Sequence, residues 1–522
     1  MPRQFFAHVV PTSHQRSPLV YSLTIRGARH PVHTKPFWRL LSLDEHITVR
    51  RFLSSRSHGL SDTEVSLASW WSSGCGCKME SIERGGCALW TNEQMRVVYA
   101  DVQNRVVFAA PGSGKTSVLT HHIGYVVRTN RVSPSEMVAV SFTRQASLEL
   151  KNRLKQLPNI TLRQAESVQV GTFHSIVFHW LLPKYPDIPL ILRESEQLDF
   201  IRRAVRKAGM SAIHARDVLA SMSLVRSTWP PAPAPRALQK VKMEYEHLKR
   251  TARRWDFDDI LETWCSFRAK HPSQPLPAIK YVLVDEFQDT NPIQWWILQD
   301  LMTAGDCRLF VVGDDDQSIY GFRGARPEWL LRFTELVPGS AKHQLTVNFR
   351  SDRSIVTAAA TLIAHNRMRV AKPMSTSSEE LGTCELIRHR DERAQARWLA
   401  DFLRTRSNSN GVHTTVAVLA RTRAELADLN TLCGIQSARF FEVRTFHDSK
   451  GREWDEVHLI NAVEDNPYWR GQLDGRSVEE ERRLFYVAMT RARHALYIHV
   501  PKRFGGVRVQ PLRFCVEAGF DG

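Results

Sequence analysis

The sequence predicts an α/β protein with two parallel sheets, each covered by helices on both faces, and a helical insertion in the first half. Three observations carry this prediction. From about residue 89, short β-branched apolar runs alternate with longer helical patterns; the same rhythm returns later in the chain; and a charged, tryptophan-containing helical stretch interrupts the first set. Apolar runs without alternation read as strands buried on both faces, as parallel sheets require. The first set is RVVFAAPG, MVAVSFT, SVQVGTFHS, YVLVDEF and RLFVVGDDDQ, and the second is TTVAVLAR, FEVRTFH, EVHLINAV and ALYIHV. The insertion falls at about 185–275, where the proline cluster WPPAPAPRAL ends any helix that reaches it.

A chain of 522 residues is too long for one core, so several domains are expected. The pattern divides it into a basic N-terminal extension (1–88), a first α/β domain (89–340), a second (341–505) and a short C-terminal tail (506–522). Residues 1–78 carry ten Lys/Arg against four Asp/Glu, with six histidines and no sustained period. They read as a floppy basic extension or as sequence upstream of a start at Met79; their acids and the Trp70–Trp71 pair fit poorly with a targeting peptide.

Lys+Arg 71 against Asp+Glu 54 gives a net charge of +17 and calls for a polyanionic partner. No run of about 18 apolar residues is present, which argues against a membrane-spanning helix and leaves nucleic acid as the leading partner. The eight cysteines are scattered and read as reduced thiols of a cytoplasmic protein. Cys75, Cys77 and Cys87 match no standard zinc spacing.

The segment VVFAAPGSGKTS is an apolar strand, a glycine-bearing loop and the start of a helix. Ala109, Ala110, Pro111, Gly112, Ser113, Gly114, Lys115 and Thr116 fit a phosphate loop with alanine in the first glycine position, followed by Ser117. Backbone amides and the helix N-terminus there can cradle phosphates, Lys115 can reach the terminal ones, and Thr116 can hold Mg²⁺. In YVLVDEFQDT, Asp285 emerges at the carboxyl end of a buried strand, where it can hold the same Mg²⁺. Glu286 can orient or deprotonate an attacking water.

GDDDQSIYGFRGA (313–325) gathers acids and a glutamine that suit a metal and a phosphate, beside two rings that suit bases. In LTVNFRS, alternation puts Leu345, Val347 and Phe349 on one face, so that Arg350 leaves the core at a strand end. In RRLFYVAMTRAR, Leu484, Val487, Ala488 and Arg491 share a helical face, and a half-buried arginine there needs an anion or a carboxylate close by.

With LWTNEQ, VSFTRQASLELKNRL, GTFHSI, DFDDIL, VRTFHDSKGREW and EEERRLFYVAMTRAR, these segments stand in the order of the UvrD/Rep family of superfamily one DNA helicases, which the chain resembles from about 89 to 500. The resemblance implies two RecA-like P-loop domains that close on ATP and Mg²⁺ and move along single-stranded DNA or a tailed duplex, 3′ to 5′. It makes Gln94 the reader of adenine and Gln317 the γ-phosphate sensor, with Arg350 and Arg491 as arginine fingers. It also places Phe349 against adenine, Glu453 on the ribose and His122 where the family commonly has an arginine beside adenine. Tyr320 and Phe322 would stack on bases, and Phe173, His174 and Phe257 would add DNA contacts. His447 and Lys450 lie where the family couples DNA-backbone contacts to the nucleotide.

One departure matters. The span from Arg350 to Thr445 is largely used by the second sheet, so the family's second accessory subdomain looks absent. Two functions are therefore expected: a helicase or translocase in DNA repair, replication or recombination, or a DNA-stimulated ATPase subunit that loads or gates a separate nuclease or repair partner, as in phage defence.

Overall fold

The computed structural model describes residues 7–11, 21–25, 90–185, 187–210, 214–408, 414–434, 441–464, 466 and 478–520. The chain falls into two units, Met1–Thr91 and Asn92–Gly522. In the first, β1 (Ala7–Pro11) and β2 (Tyr21–Ile25) pair antiparallel with Ala7 opposite Ile25. The rest of the basic extension, Met79, and Cys75, Cys77 and Cys87 lie outside the described residues.

The second unit begins with the helix Asn92–Val98 and lays down β3 (Arg105–Ala109), β4 (Met137–Val140) and β5 (Gln169–Gly171). A helical excursion follows, closed by a short parallel pair, β6 (Leu190–Ile191) and β7 (Arg254–Trp255). The chain then returns through β8 (Tyr281–Val284), β9 (Arg308–Gly313) and β10 (Ala341–Leu345). These six strands form one parallel sheet in the order β10-β3-β9-β8-β4-β5. Every residue of β3, β4 and β8 is buried, which is why these strands read as continuous apolar runs. All the phosphate-binding and acidic loops leave the carboxyl ends of adjacent strands, where open α/β sheets place their ligands.

The excursion has its own small core. Ile201, Ala204, Val205, Val218, Met222, Val241 and Tyr245 pack together from the helices Glu194–Lys207, Ala215–Arg226 and Arg236–Ala252. The helix Phe257–Lys270 falls inside the expected insertion limits, yet its Ile260, Leu261 and Trp264 join the main core of the first lobe. The inserted body is therefore narrower than 185–275.

The second lobe starts with a small parallel pair, β11 (Val347–Asn348) and β12 (Ser375–Thr376), flanking the helix Arg353–Ile363. β13 (Thr383–His389), β14 (Val416–Ala420), β15 (Phe441–Thr445), β16 (Trp454–Leu459) and β17 (Ala492–Pro501) form a parallel sheet in the order β13-β17-β16-β14-β15. Two expected boundaries move. β10 pairs with β3, so the first lobe extends past 340 to Leu345. The expected tail is core: Leu512, Phe514, Cys515 and Ala518 pack into the second lobe from the segment around the helix Arg513–Glu517. Cys265, Cys307, Cys384 and Cys515 are free thiols. No helix among the described residues is long and apolar enough to cross a membrane.

Candidate nucleotide site and DNA-facing loop

The phosphate loop runs from the buried end of β3 into the helix Lys115–Arg128, with Ala109 and Ala110 fully buried, and Ser113 Oγ donates to the Ala110 carbonyl (2.7 Å). Gly112 has φ +66°, and a Cβ there would sit 2.8 Å from Arg350 Cβ and 2.9 Å from Asn348 Oδ1, so only glycine allows the loop to meet the second half of the chain this closely. Phe349 N donates to the Gly112 carbonyl (2.9 Å) across that contact. Gln94 is buried beneath the loop and donates through Nε2 to the Ser113 carbonyl (3.1 Å). Ser117 lies in the first helical turn.

Thr116 Oγ1 donates to Asp285 Oδ2 at 2.9 Å. A hydroxyl and a carboxylate converging beside a glycine cradle form a hard-oxygen set suited to Mg²⁺. Glu286 follows with φ +54°, an uncommon backbone for a residue with a side chain. Gln288 Nε2 donates to Glu286 Oε2 (2.5 Å), while Gln288 Oε1 accepts from Asp314 N (3.0 Å), tying the two acidic loops together. Burial and the neighbouring Glu286 charge raise the Asp285 carboxyl. Burial also acts on Glu286, but the Lys115 and Lys450 ammoniums outweigh it and hold Glu286 low.

Gln317 is the centre of the site. Its Nε2 donates to Asp314 Oδ2 (2.6 Å) and its Oε1 accepts from Arg491 Nη2 (3.2 Å). Arg491 lies in the turn just after the helix Val478–Met489, not on the helix face that its spacing suggested, because the helix stops at Met489. Its guanidinium is 2 % exposed and bonds the carbonyls of Val487 (2.8 Å) and Arg452 (3.3 Å). No carboxylate pairs with it among the described residues; burial, reinforced by Arg350, pushes it down to about 9. Such a guanidinium is ready for an anion. Arg350 is half-buried and donates to Glu453 Oε2 (2.6 Å) and the Thr490 carbonyl (3.1 Å). Glu453, expected on the ribose, is held by Arg350 and Arg493 in this structure. The alternation expected in LTVNFRS breaks at Asn348, which is buried and caps the turn by accepting from Arg350 N (2.7 Å) and Ser351 N (2.8 Å).

The acids of the 313–325 loop do not form a metal site. Lys372, fully buried, pairs with Asp314 (3.1 Å), Asp315 and Asp316 (3.1 Å), and Arg369 grips Asp316 through two bonds of 2.9 and 2.8 Å. Ile319 of the same loop is buried in the second lobe's core. Neither the two cations nor this anchoring was legible in the motif, because the partners lie some fifty residues away in chain.

Beyond Ile319 the rings gather. Tyr320 stacks on Phe142 (5.5 Å between centroids, 12°) and meets Phe322 at 6.0 Å; His447 lies edge-on to Phe322 at 5.5 Å, and the Arg323 guanidinium sits 5.2 Å from the Tyr320 ring. Lys450, expected near the DNA backbone, is instead committed inward: Nζ donates to Asp289 Oδ2 and to the Gln317 carbonyl (2.9 Å) and lies 4.8 Å from the Tyr320 ring centre. Phe257 is 54 % exposed and meets His174 edge-on (5.9 Å).

Two expected contacts are corrected. Phe173 is packed into the first lobe's core, since it starts a helix whose apolar face must cover the sheet. His122 is fully buried, with its ring nitrogens bonded to the Val98 carbonyl (3.0 Å) and the Tyr281 hydroxyl (2.8 Å) and its ring stacked on Phe310 (4.9 Å). Burial pushes it down to about 3, so it is a neutral core residue out of reach of a nucleotide. Asp289, Gln288, Phe142, Arg369 and Lys372 were not foreseen; Phe142 alone had a signal, as an aromatic residue just beyond the carboxyl end of β4.

Comparison with known proteins agrees with this arrangement. Residues 90–338 match the UvrD/REP helicase N-terminal domain, and residues 426–503 match the UvrD-like helicase C-terminal domain. The chain is 31% identical to DNA helicase II of Escherichia coli (strain K12) over 370 residues, covering 64% of this chain and 48% of that protein. It is 26% identical to the ATP-dependent DNA helicase PcrA of Leuconostoc citreum over 443 residues, covering 80% of this chain and 59% of the relative. The chain thus spans about half the length of the curated relatives it matches.

Proposed function

The chain belongs to the UvrD/Rep family of helicases, and on that premise we propose that it is an ATP-dependent motor on single-stranded DNA, moving 3′ to 5′ in DNA repair, replication or recombination. The observation that carries the reading is the placement of Gln317. It bonds Arg491 from the other lobe, and Tyr320 and Phe322 follow it by three and five residues in a loop anchored on that lobe.

The phosphate loop and Lys115 would bind the triphosphate, and Thr116 with Asp285 would hold Mg²⁺, which neutralises charge on the β- and γ-phosphates. Gln94 would read the adenine, Phe349 would stack on it, and Glu453 would take the ribose once Arg350 leaves it. Glu286 would orient the attacking water. Arg350 and Arg491 would trade their present protein partners for γ-phosphate oxygens, drawing the lobes together. Gln317 would release Arg491 in the same step, and its main-chain carbonyl, held by Lys450, would pass the movement to Tyr320 and Phe322. His447, His174 and Phe257 extend the surface offered to bases.

The test is ATP turnover with and without single-stranded oligonucleotide, beside unwinding of duplexes tailed on either end. Strong stimulation by DNA and displacement from the 3′-tailed substrate alone are expected. Turnover that ignores DNA over a wide concentration range would overturn the reading.

A second reading is favoured by one observation: the described part of 350–445 is occupied by β12 to β15 and their helices, leaving little chain for a further accessory subdomain. On this reading the chain gates a nuclease or repair partner and unwinds little by itself. DNA-stimulated turnover without strand displacement would select it.

A further inference from the structure

We propose that the inserted helix Arg236–Ala252 carries a track for a nucleic-acid phosphodiester backbone, leading to the aromatic groove; this rests on the DNA-motor reading above. Residues 194–254 hold 13 Lys/Arg against six Asp/Glu, a strong concentration of charge in a small body. On the Arg236–Ala252 helix, Arg236, Lys240, Met243, His247 and Arg250 recur at helical spacing on the face opposite Val241, Tyr245 and Leu248, and all five are exposed. Met243 is 71 % exposed. The stripe contains no acid, and none of Arg236, Lys240, Arg250 and Arg253 has a carboxylate partner among the described residues.

Helix stability does not account for it. The first turn holds no acid and opens on Arg236, with Lys240 one turn on, where the helix dipole disfavours cations. At the other end lies a cleft of about 930 Å³ lined by Arg250, Arg253, Arg254 and Trp255 together with carboxylates. Two of the acids there are turned inward: Asp259 pairs with Lys249 (2.8 Å) and Arg226 (2.6 Å), and Glu246 with Lys249 (3.2 Å), while Asp187 is exposed on the rim. Arg250 and Arg253 face outward and outnumber Asp187. The cleft ends at Trp255, two residues before exposed Phe257, so the stripe is continuous in chain with the DNA-facing rings.

From Arg236 to Arg250 the helix rises about 21 Å. That length matches about six phosphate steps of one duplex strand. Exposed, unpaired cations at this spacing recognise phosphates without regard to sequence.

The experiment replaces Arg236, Lys240, Arg250 and Arg253 together by Gln in the full chain and measures affinity against salt. The probes are a short single strand that fills only the aromatic groove, a long single strand, and the short strand extended by a duplex. The variant should melt like the unaltered protein and bind the short strand equally. It should lose roughly tenfold or more in affinity for one of the larger probes, with a salt slope shallower by about 3.6 if the track holds duplex or about 2.8 if it holds single strand. The probe that suffers identifies which form occupies it. Unchanged affinity and slope on both larger probes overturn the track, as does weakened binding of polyglutamate with DNA binding intact, which would mark a surface for an acidic protein. If the unaltered chain shows no DNA-stimulated turnover, the motor reading itself fails, a result separate from any of these.

Discussion

At Lys115 the phosphate loop concentrates its function in one ammonium, and Lys115→Ala should abolish ATP turnover, measured as phosphate release, while leaving the melting temperature close to that of the unaltered chain. Phe322 is a different kind of residue: it touches no nucleotide group, and its ring stands edge-on between Tyr320 and His447. A stacked base is worth about 1–3 kcal/mol, so Phe322→Ala should weaken single-stranded DNA binding by about 5- to 150-fold in an anisotropy titration. His122 gives the opposite lesson. Its position invites an arginine, yet both ring nitrogens are satisfied inside the core. His122→Arg should therefore lower stability by at least about 1–3 kcal/mol, the cost of stranding buried polar partners, without tightening ATP binding. A melting curve and a nucleotide titration on the same sample decide this. The phosphate loop and Asp285 could be picked out because each is defined by short-range spacing after an apolar strand, whereas the spacing around Arg491 suggested a helix face that it does not occupy. His122 and Phe173 misled because spacing gives a helical position but not the depth to which the helix is sunk.

The loop 313–325 behaves as an element of the second lobe grafted onto the first. Its strand, β9, belongs to the first sheet, but Ile319 is buried against the helices of the second, and Asp314, Asp315 and Asp316 are held by Lys372 and Arg369. Three carboxylates against two cations leave the buried cluster one negative charge in excess, so each cation counts. Lys372→Met should cost about 3–5 kcal/mol, as expected when one partner leaves a buried pair. Adding Asp315→Asn removes one stranded charge and should recover part of the loss in urea denaturation; no recovery would show that Lys372 acts only through packing. Elements legible in the sequence were those with a β-branched apolar run: nine such runs became β3, β4, β5, β8, β9, β14, β15, β16 and β17, although β5 and β15 are partly exposed edge strands. β10 (AKHQL) and β13 (TCELIRH) escaped because they are mostly polar, so no apolar run marks them. Missing β10 is what misplaced the boundary between the lobes.

For the molecule as a whole, buried imidazoles set the response to acid. Behind the second sheet, His499 bridges two other imidazoles: its Nδ1 lies 2.9 Å from His389 Nε2 and its Nε2 lies 3.0 Å from His458 Nδ1. Trp398 and Phe402 cover the row, and the charged neighbour of His458 is Arg406, itself paired with Glu456. Burial pushes all three histidines down, His458 to about 3, and His499 is depressed further by the rings on either side. A depressed imidazole is neutral in the fold and titrates near 6.5 when the chain unfolds, so below that pH the unfolded state binds more protons. The stability this row contributes is then complete above about 6.5 and is lost as pH falls from there towards the folded values. The row is confined to the second lobe; in the first, burial also pushes His122 down to about 3 and His174 to about 4, but these imidazoles are not joined to one another. Thermal melting at pH 7.5 and pH 5 should show a steep acid loss of stability in the unaltered chain. His458→Phe should flatten that loss because one fewer buried imidazole must be protonated. A melting temperature equally sensitive to acid in both proteins would remove the histidine row from the account and place the acid lability elsewhere.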